Sequence, residues 1–133
     1  MLLLVGCVEV APSPLDQVKS GIEFTAQEIS WQSCESGFEC ATVAVPLDHL
    51  NPGDEAFEIA LIRLAGTDAL APLLINPGGP GASGVDYVRD NYESIGTEKL
   101  RENFQLIGFD PRGVGRSAPV TCTDEKLKDQ VYY

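Results

Sequence analysis

Pro72-Leu73-Leu74-Ile75-Asn76-Pro77-Gly78-Gly79-Pro80-Gly81-Ala82-Ser83-Gly84 decides how this chain is read. Its opening residues are short and apolar throughout, the pattern of a buried parallel strand. The glycines and prolines that follow mark a sharp turn. From Ser83 to about Tyr92 the sequence predicts a helix, with the Ser83 hydroxyl as its cap. Further on, Phe104-Gln105-Leu106-Ile107-Gly108-Phe109 reads as a strand that ends at Asp110. A strand, a helix and a strand within roughly forty residues make a βαβ unit, so the expected fold class is α/β.

Upstream, Ala41-Thr42-Val43-Ala44-Val45-Pro46-Leu47 predicts a strand, because Thr42 and the valines favour β structure and Pro46 closes it. Asn51-Pro52-Gly53 is a turn signal. Ala56 to Leu64 alternates partway, with Glu58, Ala60 and Ile62 on one side and Phe57, Ile59 and Leu61 on the other. These two strands make a hairpin-like pair. Residues 8–30 are polar and mixed, with Pro12 and Pro14 early, and read as a linker and lead-in. Residues 31–133 form the expected domain, and the last stretch, from Thr123, begins a polar helix. No internal repeat is visible.

Composition narrows the function classes. Of 133 residues, 44% are apolar and 22% charged, which rules out a wholly disordered chain. The net charge of −11 repels phosphate backbones, so nucleic acid is not expected as a partner. No apolar run approaches the ~18 residues that span a bilayer.

Two chemistries compete for the glycine-rich loop. Gly79-Pro80-Gly81-Ala82-Ser83-Gly84 is a literal G-x-G-x-x-G after a strand, and Asp110 closes the next strand near the ~20-residue offset of a dinucleotide fingerprint. That loop works by offering backbone N–H groups to pyrophosphate. Pro80 has no N–H to offer, Pro77 stiffens the approach, and two strands already precede the motif. The alternative is an oxyanion hole, which needs only one or two N–H groups aimed at a single oxygen. Such a loop follows the third strand of α/β-hydrolases, and here it follows the third predicted strand.

The residues from Asn76 to Gly84 resemble the oxyanion-loop motif of the secreted α/β-hydrolase peptidases, the tripeptidyl aminopeptidases and related proline iminopeptidases. Gly108-Phe109-Asp110-Pro111-Arg112-Gly113-Val114-Gly115-Arg116-Ser117 resembles their second hallmark, the loop after the fourth strand. Glu39-Cys40-Ala41-Thr42 through Val45-Pro46-Leu47-Asp48, then Asn51-Pro52-Gly53, is similar to their opening hairpin, with Trp31 and Cys34 also in place. The resemblance spans residues 31–122 and implies the N-terminal part of an α/β-hydrolase fold. It implies that Gly79 supplies an oxyanion N–H, with Gly78 the neighbouring candidate. It places Asp110, Arg112 and Ser117 in the active-site wall, and their purely structural reading is that Asp110 and Arg112 fix a turn. It implies a peptide substrate, no cofactor and no metal.

The departures matter equally. No G-x-S-x-G occurs: Gly81-Ala82-Ser83-Gly84-Val85 begins it and fails at Val85. His49 is the single histidine and precedes everything, whereas the family order is Ser, acid, His. The chain therefore reads as the N-terminal portion of a longer enzyme, inactive alone. A non-catalytic lipoprotein or binding remnant of the same fold is the alternative, with dinucleotide binding third.

There are four cysteines. Cys34 and Cys40 enclose a short loop with Gly37 inside, which suits a disulfide in an oxidising compartment. A metal site is the rival, but no histidine or second cysteine pair stands at ligand spacing. Cys122 has no mate in this arithmetic, and the resemblance implies pairing further along a longer chain. Leu4-Val5-Gly6-Cys7 resembles the lipobox of bacterial lipoproteins. Residues 1–7 are thus read as a partial signal, with Cys7 a lipidation candidate that would anchor the protein at a membrane. The expected location is extracytoplasmic.

Overall fold

The computed structural model describes residues 27–119 apart from 36, 53–54 and 69. Cys7, Cys122 and the segments around them lie outside the described residues. Five strands form one mixed sheet: β1 (Gln32–Glu35), β2 (Phe38–Pro46), β3 (Ala56–Leu64), β4 (Ala71–Ile75) and β5 (Phe104–Phe109), in the spatial order β1-β2-β3-β5-β4. Neighbours are antiparallel except β4 and β5, which run parallel. Between those two lie helix α1 (Gly84–Asn91), a 3₁₀ turn (Tyr92–Ser94) and helix α2 (Glu98–Asn103).

The expected hairpin pair is β2 and β3, in register along their whole length from Phe38 opposite Leu64 to Pro46 opposite Ala56. The expected βαβ unit is β4–α1–β5. Together they make a mixed sheet with few helices, compatible with the α/β class. Three boundaries differ from the reading. A strand, β1, precedes the hairpin, so the glycine loop follows the fourth strand rather than the third. The predicted helix ends in a 3₁₀ turn. The predicted buried strand is the outermost one: β4 pairs with β5 alone among the described residues, and Leu74 is 65% exposed. Its apolar run matched burial on both sides, but only one side has a neighbour here.

Alternation explains which face is packed. Ala60 and Ile62 of β3 and Leu106 of β5 point to one face and meet Val85, Val88, Tyr92 and Ile95. Val85, Val88 and Tyr92 recur at i, i+3 and i+7, the apolar stripe of a helix laid on a sheet. The Tyr92 ring meets Phe38 edge-on, with centroids 6.1 Å apart. Cross-strand partners Glu39 and Arg63 form a salt bridge of 2.7 Å, and the Arg63 guanidinium stacks 4.3 Å from the centre of the Trp31 ring. Cys34 and Cys40 are joined in a disulfide, tying β1 to β2, so the metal alternative for this pair falls away.

Candidate functional site

The glycine loop leaves the end of β4 and enters α1. Residues 78–81 are exposed. Gly78 and Gly81 hold φ of +88° and +78°, the left-handed region that glycine tolerates and side chains avoid. The Asn76 carboxamide oxygen accepts from the Gly78 N–H at 3.0 Å, a side chain closing a turn on its own backbone two residues on. The Gly78 donor is therefore engaged. Gly79 N–H has no acceptor among the described residues. Of the two candidate donors, Gly79 is the one free to meet an incoming oxygen.

The loop's exit is fixed more tightly. Ser83 caps α1, its Oγ accepting from the Asp86 N–H at 2.9 Å. Gly84 lies so close to β5 that a Cβ there would collide with the carbonyl oxygen of Phe109. Gly108 faces it, where a Cβ would strike the Gly84 carbonyl. The last glycine of G-x-G-x-x-G is thus used for helix–strand approach, a role this motif has wherever a strand turns tightly into a helix.

Asp110, at the end of β5, is fully buried. Its Oδ1 accepts from Ser83 Oγ–H and from Val85 N–H at 3.2 Å. Its Oδ2 accepts from the Arg116 N–H at 2.8 Å, with the Arg116 guanidinium at 3.5 Å. Ser117, also fully buried, accepts the Ala60 N–H at 2.9 Å, while the Asp110 N–H donates to the Ala60 carbonyl at 3.1 Å. The structure so brings Asp110, Ser117 and the loop's exit together. Arg112 points elsewhere. It donates to the carbonyls of Pro46 and Leu47, at 2.8 and 3.1 Å, and lies over the Phe57 ring. His49 sits 3.0 Å from an Arg112 nitrogen, and none of its contacts joins it to residues 76–84.

Sequence reasoning assigned no role to four participants. Asn76 could have been found, since Asn before Pro-Gly is a turn signal. Gly115, where a Cβ would collide with Asp110 Oδ2, and the pair of Asp86 with Arg116, at 3.0 Å, carry no local signal. Burial opposes ionisation of Asp86, but the hydrogen bond and charge of Arg116, with Arg89, hold its carboxyl below the usual range. Among the described residues no cluster could hold a metal ion. None of their helices is long and apolar enough to cross a membrane.

A mixed sheet with a strand–turn–helix is compatible with an α/β arrangement, and the hydrolase family comes from comparison with known proteins. The chain is similar to carboxylesterase B of Mycobacterium tuberculosis, 38% identical over 135 residues, which covers 88% of this chain and 26% of that protein. It is similar to the serine protease Hip1 of the same species, 33% identical over 141 residues, 98% of this chain and 26% of that protein. It also matches the tripeptidyl aminopeptidase of Streptomyces lividans, 34% identical over 107 residues, 72% of this chain and 20% of that protein. No protein-family model matches. The chain belongs to the hydrolase family of the tripeptidyl aminopeptidases and their relatives, the family its motifs resemble. It spans about a quarter of the length of the curated relatives it matches.

Proposed function

We propose that this chain is the N-terminal part of an extracytoplasmic serine hydrolase of the α/β-hydrolase fold, acting on peptides from their N-termini. Residues 31–133 are the beginning of the catalytic domain, residues 8–30 its lead-in, and residues 1–7 a signal whose Cys7 carries lipid. In the whole enzyme a serine attacks the carbonyl, a histidine moves the proton and an acid orients the histidine. This chain contributes half the oxyanion hole through Gly79. The observation that carries the reading is the exposed Gly79 N–H, left free while Gly78 is engaged by Asn76. Preorganised donors of this kind are usually the largest electrostatic contribution to acyl transfer. The disulfide between Cys34 and Cys40 supports an oxidising compartment.

A second reading, ester hydrolysis, is favoured by one observation: carboxylesterase B is among the relatives. An oxyanion hole serves esters and amides alike, so the loop does not choose between them. The test is expression of the whole reading frame that contains these residues, with labelling by a fluorophosphonate. Labelling followed by release of tripeptides or single residues from peptidyl aminomethylcoumarins supports the peptidase; turnover of nitrophenyl esters alone supports the esterase. Absence of both labelling and turnover in folded protein overturns the hydrolase reading and leaves the binding remnant.

A further inference from the structure

We propose that Asp110 is the positioning residue of the candidate oxyanion loop: its buried carboxylate clamps the loop's exit at Ser83 and Val85 to the 111–117 loop. The inference rests on the reading of residues 76–81 as an oxyanion loop and assigns what holds that loop in place.

A carboxylate taken wholly out of water is unfavourable unless it is hydrogen-bonded on its oxygens. At Asp110 both oxygens are engaged, and by donors only. Ser83 Oγ–H and Val85 N–H meet Oδ1; Arg116 N–H meets Oδ2. An amide cannot replace the carboxylate there, because Asn carries one acceptor oxygen and would turn an NH₂ toward one set of donors. The requirement for two acceptors is what a clamp between two loops demands. Gly115 completes the fit, since any side chain there would occupy the space of Oδ2.

The clamp reaches the free donor through a short lever. Upstream, the loop is anchored by Ile75, paired with Gly108. Downstream, three consecutive residues are held: Ser83 and Val85 by Asp110, and Gly84 by contact with Phe109. Residues 76–82 bridge these anchors, and Gly79 lies at the middle of the bridge. Both anchors belong to the same strand, β5 and its end, so the position of the Gly79 N–H is set by how the exit sits on Asp110.

Hydrogen–deuterium exchange of the 133-residue chain, read by mass spectrometry, tests this without substrate. Asp110→Asn is compared with the parent at peptides covering residues 76–86 and residues 38–46, the latter free of bonds to Asp110 and Ser117. The expected result is exchange faster by about tenfold or more in 76–86, with 38–46 unchanged, because local opening need not track global unfolding. Equal acceleration in both peptides, or acceleration confined to 111–117, overturns the proposal. Should Asp110→Asn fail to fold, Ser83→Ala carries the test; it removes one arm and leaves Val85 N–H on the carboxylate, but it also removes the α1 cap on the Asp86 N–H, so exchange is read at residues 78–82 alone, where it should be faster to a smaller extent, and no change there overturns the clamp. In the whole enzyme Asp110→Asn should lower kcat while KM moves little, the pattern of an interaction felt in the transition state. Faster loop exchange with unchanged kcat in an active enzyme overturns the positioning role. An unlabelled, inactive parent would instead refute the hydrolase reading, and the exchange result would still decide the clamp.

Discussion

At Gly79 two demands meet in one residue: a free N–H and room for nothing else. A Cβ on Gly79 would lie 2.7 Å from the Gly81 nitrogen, closer than side-chain carbons come to backbone. Gly79→Ala, which keeps the N–H, is therefore not a silent control, and Gly79→Pro confounds donor loss with the same crowding. The clean experiment replaces the Gly79 residue with glycolic acid, exchanging N–H for ester oxygen with no atom added. In the whole enzyme this should lower kcat by roughly 10²–10³, equivalent to about 2.7–4 kcal/mol, with KM near its starting value. Steady-state kinetics on a fluorogenic substrate checks it, and an unchanged kcat removes Gly79 from the chemistry. The motif and its third glycine were legible in the sequence. Which glycine N–H stays free was not, because that depends on the rotamer of Asn76.

Elements report their packing through glycine as well. Helix α1 rests on β5 where Gly84 meets the Phe109 carbonyl and Gly108 meets the Gly84 carbonyl, so the two backbones touch with no side chain between them. Gly84→Ala should lower stability by about 1–3 kcal/mol, the usual range for overpacking, and a denaturant melt with unchanged slope would show it. On the same helix, burial pushes the Asp86 carboxyl up, but the hydrogen bond and charge of Arg116, with the charge of Arg89, together outweigh it and hold the pKa below the usual carboxylate range. A folded pKa below the unfolded value near 3.9 makes the pair favourable above about pH 4, and its contribution is lost as pH falls through the lower folded value. Arg116→Ala should move the Asp86 midpoint upward in an NMR titration, with little change in melting at neutral pH, since both partners are well exposed. The strands β2, β3 and β5 and the helix were readable from alternation and apolar runs. The strand β1 was not: its four residues, Gln32–Glu35, are all exposed and show no apolar period, so its pairing is decided by the Cys40 side of the hairpin. The six-residue α2 was likewise too short to carry a stripe.

Across the whole molecule the sheet has two different rims. One is β1, polar and tied to its neighbour by the disulfide. The other is β4, whose outer side has no strand partner among the described residues and whose Leu74 is 65% exposed. Unpaired backbone groups beside exposed leucine form a template for further strands. The 133-residue chain should self-associate with rising concentration, and Leu74→Lys should shift its sedimentation toward monomer, since lysine at an edge opposes pairing. Monomeric parent protein at high concentration would contradict this. The apolar run alone does not give its place, because strand order is a property of long-range pairing and Leu73-Leu74-Ile75 reads the same at the centre of a sheet or at its rim; it is the strand order implied by the family resemblance that puts it at an open edge, where the structure has it.

The bond between Cys34 and Cys40 also has a mechanical meaning. If the chain were held at one end and drawn out from the other, the sheet would come apart strand by strand, but the segment between the two sulfurs would stay slack and carry no load. With a sequence separation of 6, the segment holds about 20 Å of contour at ~3.3–3.6 Å per residue, of which the bridge already spans the 5.6 Å between the two Cα atoms, so about 15 Å is withheld. A single molecule stretched in reductant should lengthen by that step relative to one stretched without it, and tension arriving from the N-terminal side would pass directly from β1 into β2, bypassing the turn that joins them.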